Sequence, residues 1–287
     1  MARGRRLFTA VLAVSGLLTV SVPSASALPG EEVGTVARAS TCGGVEPTIT
    51  GTRGNDVLLG ANGRDVIAAR GGQDRIRAMG GNDIVCGAGG NDTVRGGAGA
   101  DTLLGAAGPD RLYGGPGDDR VKGGGPGGKE RFDYLYGGRG DDTLFGGKGS
   151  DDFYPGSGDD VVRGDQGARD FVLYSNAPRA ITAHLGPGTV TGWGTDRLVS
   201  ITGVSGTAYD DLLVARPHGH SGLFGEGGDD TLRGGSADDT IFGNGGRDTA
   251  RGFAGADYII GGVGRDTIRG GSGNDFCDGA DVQGCEH

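Results

Sequence analysis

The chain has 287 residues, a formal net charge of −10 at pH 7 and 66 glycines. This glycine content excludes long helices, because an interior glycine costs a helix roughly 1 kcal/mol relative to alanine. The acidic balance argues against nucleic acid as a partner, since binding to phosphates requires clustered lysine and arginine. An acidic chain is better suited to binding cations.

Residues 1–27 have the features of a signal peptide. Arginines lie within residues 3–6, an apolar stretch covers residues 7–22, and small residues at 25–27 fit a cleavage site. These features predict a secreted, extracellular protein, exported by the general secretory route or, given its arginine pair, by the twin-arginine route. No later apolar stretch approaches the roughly 18 residues of a membrane-spanning helix, so we expect no membrane span.

A nine-residue pattern, Gly-Gly-x-Gly-x-Asp-x-U-x, is repeated from residue 51 to residue 278, where U is a large apolar residue. Clean copies begin at Gly96 and Gly261. Glycine turns and short segments around U therefore alternate at a fixed period, which predicts a solenoid.

The pattern is interrupted once along the chain. There, residues 180–185, 189–191 and 197–201 alternate apolar and polar side chains, which predicts three short strands. The chain accordingly divides into a signal peptide (1–27), an N-terminal cap segment (28–50), a first repeat array (51–174), a β spacer (175–205), a second array (206–278) and a C-terminal cap (279–287).

The sixth position of the repeat places a carboxylate at one fixed phase, which solubility alone does not require. One repeat has Ser221 in that position. The candidate metal ligands are Asp56, Asp65, Asp74, Asp83, Asp92, Asp101, Asp110, Asp119, Asp133, Asp142, Asp151, Asp160 and Asp170 in the first array, and Asp211, Asp230, Asp239, Asp248, Asp257, Asp266 and Asp275 in the second.

A glycine turn that ends in aspartate suits calcium, which takes about six to eight oxygen ligands. Glycine reaches positive φ and can expose backbone carbonyls, and the aspartate adds its carboxylate. One nonapeptide has too few oxygens. We therefore expect each ion to be shared by a repeat and the next but one, stacked roughly 4.8 Å apart. The predicted cofactor and binding partner is thus calcium, in several copies.

The U residues predict a thin core between two parallel sheets of three-residue strands. Burying one aliphatic side chain contributes roughly 1.5–3 kcal/mol, whereas ordering nine residues costs on the order of 9–18 kcal/mol. Calcium must supply much of the difference, so we expect folding and calcium binding to be one event.

The repeated pattern resembles the RTX family, the haemolysin-type calcium-binding repeat of secreted bacterial proteins. The resemblance implies an all-β parallel β-roll solenoid with two repeats per turn, here in two arrays separated by a short β spacer. It also implies a calcium-ligand role for every aspartate named above. Departures from the pattern occur at Ser221, at Ala69-Arg70, and where Pro126 and Tyr209 enter turns. We expect poorer sites there.

The four cysteines of a secreted chain suggest two disulfides. With two repeats per turn, Cys86 and Cys277 lie roughly 40 Å apart at one strand spacing per turn, beyond the ~7 Å that a disulfide allows between Cα atoms. We therefore expect Cys42–Cys86 and Cys277–Cys285, unless the spacer folds the second array back onto the first.

Two functions are compatible with the sequence. The first is a secreted calcium-binding repeat protein with a structural or interaction role outside the cell, where a cell-surface or matrix polymer is a candidate partner. The alternative is an extracellular enzyme, modifying polysaccharide or protein, that carries RTX repeats. The N-terminal cap segment and the spacer are short for a catalytic domain, so we expect no enzymatic activity and assign no catalytic residue.

Overall fold

The computed structural model describes residues 41–124, 132–165 and 169–285. The expected signal peptide, most of the N-terminal cap segment and the insertion at Pro126 lie outside the described residues. The described part of the chain consists of strands, turns and bends, and it contains no helix that could cross a membrane.

The strands alternate with turns along the whole described chain. From the end of the N-terminal cap segment through the first array they are β1 Ile49–Thr50, β2 Val57–Leu59, β3 Val66–Ala68, β4 Arg75–Gly80, β5 Ile84–Gly89, β6 Thr93–Ala98, β7 Thr102–Ala107, β8 Arg111–Pro116, β9 Arg120–Gly124, β10 Tyr134–Arg139, β11 Thr143–Gly147, β12 Asp152–Ser157, β13 Val161–Asp165 and β14 Phe171–Leu173. They continue as β15 Thr182–His184, β16 Thr189–Thr191, β17 Thr195–Val199, β18 Gly203–Ser205, β19 Leu212–Val214, β20 Gly222–Phe224, β21 Thr231–Arg233, β22 Thr240–Gly245, β23 Thr249–Ala254, β24 Tyr258–Val263, β25 Thr267–Ser272, β26 Phe276–Asp278 and β27 Asp281–Gln283.

The chain passes alternately through two sheets. The first sheet has 15 strands in the order β1-β3-β5-β7-β9-β11-β13-β17-β16-β15-β19-β21-β23-β25-β27, and the second has 12 strands in the order β2-β4-β6-β8-β10-β12-β14-β18-β20-β22-β24-β26. Within the arrays, neighbours in a sheet are two repeats apart and parallel: Leu103 pairs with Val85 on one side and Val121 on the other. The all-β parallel β-roll is confirmed.

The U side chains form a single row between the sheets. Leu103, Leu112 and Ile241 are 0 % exposed. Because successive strand residues face opposite sides of a sheet, the residues on either side of U point outward, and Leu104 is only half-buried. The core is therefore as thin as the sequence predicts.

Many strands are longer than the predicted three residues. β7 extends from Thr102 to Ala107 because the ladder continues into the glycine turn, where Ala106 pairs with Ala88 two repeats earlier. The turns therefore stack in the same register as the strands, and the aspartate that follows each turn is held at a fixed phase.

The spacer adds strands to the first sheet and leaves the second sheet continuous. β15, β16 and β17 form an antiparallel meander. β17 pairs in parallel with β13, and β15 pairs in parallel with β19. In the second sheet β18 pairs with both β14 and β20. The two arrays thus share both sheets, and the second array is not folded back onto the first.

Both expected disulfides are present. The Cα atoms of Cys42 and Cys86 are 5.7 Å apart, and those of Cys277 and Cys285 are 5.9 Å apart. The first joins the N-terminal cap segment to β5, and the second joins Cys285, two residues after the end of β27, to β26. Each disulfide lies at one end of the roll, where a repeat has a neighbour on only one side.

Candidate metal centre

The glycine turn of each repeat sets the direction of its aspartate. In the copy that begins at Gly96, Gly97 and Gly99 have φ values of 120° and 129°, which glycine adopts without a Cβ clash. The stacking of turns also leaves no room, since a Cβ atom on Gly99 would collide with the carbonyl oxygen of Gly81, two repeats earlier. Asp101, which ends this turn, is 2 % exposed.

The sixth-position aspartates are joined into hydrogen-bonded rows. The backbone N–H of Asp83 donates to Oδ1 of Asp101 over 2.8 Å, and the N–H of Asp101 donates to Oδ1 of Asp119 over 2.8 Å. Asp56 and Asp65, in the first two repeats, are half-buried, and the aspartates of the later repeats are buried.

The structure places every predicted ligand in one of two rows, one beside each sheet. Beside the second sheet lie Asp56, Asp74, Asp92, Asp110, Asp133, Asp151, Asp170, Asp239, Asp257 and Asp275. Beside the first sheet lie Asp65, Asp83, Asp101, Asp119, Asp142, Asp160, Asp211, Asp230, Asp248 and Asp266. Ser221 occupies the aspartate position of the row beside the second sheet, and its backbone N–H makes the same hydrogen bond, to Oδ1 of Asp239 over 2.7 Å.

The second carboxylate oxygen is left unsatisfied in most of these turns. A Cβ atom on Gly96 would collide with Oδ2 of Asp101 and would lie 2.9 Å from the carbonyl oxygen of Gly114, two repeats further on. The Oδ2 atom of one repeat and a backbone carbonyl oxygen of the next repeat but one thus lie close together beside a single glycine. Within the described residues no hydrogen-bond donor reaches the buried Oδ2 atoms of Asp74, Asp83, Asp92, Asp101, Asp119, Asp142, Asp151, Asp160, Asp170, Asp230, Asp248, Asp257, Asp266 and Asp275.

Burial raises the pKa of most of these carboxyl groups, in repeats from that of Asp74 to that of Asp257, above the ordinary value of 3.8. Desolvation raises the pKa of Asp142 and Asp151 to about 8 and that of Asp119 to about 7. The backbone hydrogen bond to each carboxylate lowers the pKa in part, and the neighbouring carboxylates of the row raise it again. Rows of buried anions without a counter-charge are unfavourable, and a bound cation would remove that penalty.

The oxygen atoms in these turns fit calcium rather than a softer metal. In the part of the chain that the structure describes, no three His, Cys, Asp or Glu side chains converge on one point. Carbonyl oxygens must therefore complete any metal shell in the turns. Calcium takes carboxylate and carbonyl oxygens, whereas zinc and copper favour nitrogen and sulfur.

Some turns satisfy Oδ2 from within. In the first repeat the backbone N–H of Thr52 donates to Oδ2 of Asp56 over 2.6 Å. Thr52 does not have a positive φ, whereas Gly97, at the same position of its repeat, does. We call such turns closed, and those with an unpartnered Oδ2 open. The closed turns are those of Asp56, Asp65, Asp211 and Asp239.

Asp196 is a member of the row that the sequence analysis missed. The backbone N–H of Asp160 donates to its Oδ1 over 3.0 Å, and Asp196 is 3 % exposed. The Oη of Tyr174 donates to its Oδ2 over 2.5 Å. Residues 192–199 follow positions two to nine of the repeat, whereas the alternation of apolar and polar residues predicts spacer strands in this region. A tyrosine hydroxyl therefore satisfies the oxygen that is unpartnered in the open turns.

A second, exposed row of carboxylates lies beside the buried row of the first sheet. Asp118, Asp141 and Asp159 occupy the fifth position of their repeats. The N–H of Asp141 donates to Oδ1 of Asp118, and the N–H of Asp159 to Oδ1 of Asp141, each over 2.9 Å. The sequence signal was the Asp-Asp doublet that each forms with the sixth-position residue.

Comparison with protein families identifies the repeat. The model described as the RTX calcium-binding nonapeptide repeat, in four copies, matches residues 48–76, 59–94, 95–125, 127–167, 223–250 and 251–281. The matched ranges leave out residues 168–222, which contain the spacer, Asp196 and the closed turn of Asp211. Comparison with curated proteins gives no match.

Proposed function

Because the chain belongs to the family of RTX calcium-binding nonapeptide repeat proteins, we propose that it is secreted and folds outside the cell as its repeats bind several calcium ions. In this proposal the roll serves as a structural or interaction module. The predicted signal peptide and the disulfides support secretion, since disulfides persist in oxidising, extracellular surroundings.

The observation that carries the proposal is the repeated pair of acceptors in the open turns. An Oδ2 atom without a donor meets a carbonyl oxygen two repeats away, as for Asp101 and Gly114. The backbone N–H at Oδ1 fixes the rotamer of each carboxylate, so Oδ2 is held in position before any ion arrives. When bound, calcium would supply the positive charge that the rows lack.

The proposal includes the absence of catalysis. Carboxyl groups with raised pKa values recur between Asp74 and Asp257 instead of gathering in one cleft, which supports a repeated binding role over a single reaction site. The alternative is an extracellular enzyme that acts on polysaccharide or protein. A turnover screen with the calcium-loaded protein on both substrate classes separates the two, and multiple-turnover product formation would establish the alternative.

Calcium titration tests the proposed function directly. In EDTA we expect a disordered far-UV circular dichroism spectrum, and a steep transition to a β spectrum near the ~10⁻⁴–10⁻³ M calcium typical of extracellular sites. Magnesium should act poorly, since it dehydrates reluctantly. A β spectrum in EDTA identical to that with calcium would sink the proposal.

Two matched variants connect this titration to the turns. Asp101→Asn keeps an acceptor at Oδ1 but removes the charge from an open turn, so we expect fewer bound ions by calorimetry. Asp65→Asn makes the same change in a closed turn, where the N–H of Ala61 already satisfies Oδ2 over 2.7 Å, and should leave the number of ions unchanged. An equal loss of bound ions in both variants would mean that an unpartnered Oδ2 does not mark a calcium site.

A further inference from the structure

Three arginines form a ladder on the outer face of the first sheet, in the second array. Arg233 on β21 is in register with Arg251 on β23, and Arg251 with Arg269 on β25. All three side chains are exposed. Neighbouring strands lie about 4.8 Å apart, so the guanidinium groups are evenly spaced. Like charges opposite one another on adjacent strands are destabilising, and the ladder is therefore unfavourable in an isolated copy.

The ladder arginines have no carboxylate partner among the described residues. The ion pair found there joins Arg247 to Asp229 over 2.6 Å, and it is the only one in that part of the chain. Arg251 lies over the ring of Phe253, with 5.1 Å between its Cζ atom and the ring centroid, which limits its freedom without neutralising it. The chain thus presents an unneutralised cationic row despite its net charge of −10.

The first array presents a complementary row. Asp118, Asp141 and Asp159 are exposed and lie at the starts of neighbouring strands of the same sheet. Their Oδ1 atoms are held by the N–H groups of Asp141, Asp159 and Thr195 over 2.8–2.9 Å. The carboxylates are therefore fixed at one strand spacing, which is the spacing of the arginine ladder.

A contact within the chain shows what such a carboxylate binds. Asp229 also occupies the fifth position, and its Oδ1 accepts the backbone N–H of Arg247 over 2.9 Å. Its Oδ2 accepts the guanidinium of Arg247 over 2.6 and 3.1 Å. A fifth-position aspartate can thus keep its hydrogen bond to the backbone and bind an arginine at the same time.

We propose that the arginine ladder of one copy docks on the aspartate ladder of a second copy, so that the calcium-loaded protein self-associates. Three guanidinium groups meet three carboxylates at the same spacing, which allows charge-assisted hydrogen bonds along the whole contact. The two ladders lie in different arrays, so the contact is heterologous and leaves one free ladder at each end. Such contacts produce open chains of copies. The inference rests on the proposed function, because the ladders exist only in the folded roll.

The test is sedimentation velocity of the secreted, calcium-loaded protein at low and high salt. We expect a mass above that of the monomer at low salt, rising with protein concentration. High salt should restore the monomer, because screening shortens electrostatic range to about 10 Å at 0.1 M and about 3 Å at 1 M. Circular dichroism of the same samples confirms that the roll is folded.

Two triple variants identify the surfaces. R233Q/R251Q/R269Q removes the cationic ladder, and D118N/D141N/D159N removes the anionic one while keeping its Oδ1 acceptors. Each variant alone should be monomeric. Their mixture should form a complex of one copy of each and stop there, because only one of the two possible contacts remains intact.

A control with the same change in net charge is R139Q/R179Q/R197Q, whose exposed arginines form no ladder. It should associate as the unmodified protein does. Monomers at low salt in samples that are folded with calcium overturn the inference and leave the proposed function intact, as does equal loss of association in the control. A chain that stays unfolded with calcium instead overturns the proposed function.

Discussion

The hydrogen bond between Tyr174 and Asp196 allows the role of Oδ2 to be tested outside the open turns. Tyr174 is 1 % exposed, and burial raises the pKa of its hydroxyl well above the ordinary value of 10.0, so the group donates at neutral pH. Desolvation raises the pKa of Asp196 to about 6, although the bond from Tyr174 lowers it. Tyr174→Phe removes this donor and retains the ring.

The expected cost follows from leaving a buried acceptor without a partner. That loss is about 1–3 kcal/mol, and more for a charged group. The measurement is the free energy of unfolding from urea denaturation at fixed calcium. The control is Tyr209→Phe, since Tyr209 is 47 % exposed and surface changes usually stay within about 0.5 kcal/mol. Equal effects of the two substitutions would refute the assignment of Tyr174 to Asp196.

Tyr174→Phe also tests whether Asp196, once it has lost its donor, behaves like the aspartate of an open turn. Without the tyrosine hydroxyl, Asp196 has a buried Oδ2 with no donor, as Asp101 has. A cation could then occupy the place beside that oxygen. We therefore expect the destabilisation by Tyr174→Phe to shrink as calcium is raised. A loss that is the same at limiting and saturating calcium would contradict the equivalence.

Three further predictions concern the core, the turns and pH. Leu103→Ala should lower the free energy of unfolding by roughly 2–5 kcal/mol, as the loss of a buried leucine does. It should also raise the calcium midpoint in circular dichroism without changing the number of bound ions. Leu104→Ala should cost well under 1 kcal/mol, and an equal cost would mean that the strand is buried on both faces. Met79 has a φ of 84° at the second position of its turn, so Met79→Gly should stabilise the roll by about 1 kcal/mol and lower the calcium midpoint, whereas Met79→Ala should not. The pKa of Asp142 is raised from 3.8 to about 8 in the roll, so protonation stabilises the fold below about pH 4 and this contribution is lost as pH rises through about 8. The calcium-free protein should therefore gain β structure in circular dichroism on acidification across this window, and a constant spectrum would count against buried carboxylates in the calcium-free roll.

The phase of the repeat was predictable because it depends on one period. Every U residue lies in the core row, and every sixth-position aspartate lies in one of two rows, since a repeat of nine residues adds one strand and one turn each time. The state of the turn was not predictable from residue type. Gly235 and Gly97 both occupy the second position of their repeats, yet the turn of Gly235 is closed and that of Gly97 is open, with a positive φ. Glycine adopts either backbone conformation.

Asp196 was missed for a different physical reason. Asp196 lies in β17, the last strand of the meander, and the first two strands of the meander separate it in sequence from the array that it continues. Its register is set by the pairing of Val162 on β13 with Leu198 on β17. The nine-residue period of the sequence cannot reveal that two strands pair when an insertion separates them. The exposed aspartate row was missed because a doublet of acids can also be an ordinary solvated turn.

The distribution of open and closed turns suggests how the two arrays reach one register. Open turns lie on both sides of the spacer, with Asp151, Asp160 and Asp170 before it and Asp230 and Asp248 after it. Asp196 and Asp211, which lie between them, have both carboxylate oxygens satisfied by the chain itself. The strands of the spacer pair with the last strands of the first array and the first strands of the second. In a solenoid each repeat gains most of its stability from its neighbours, so a segment that needs no cation offers both arrays a template of the correct phase. We therefore expect calcium to extend order outward from the spacer, because one template would then replace a separate nucleation in each array.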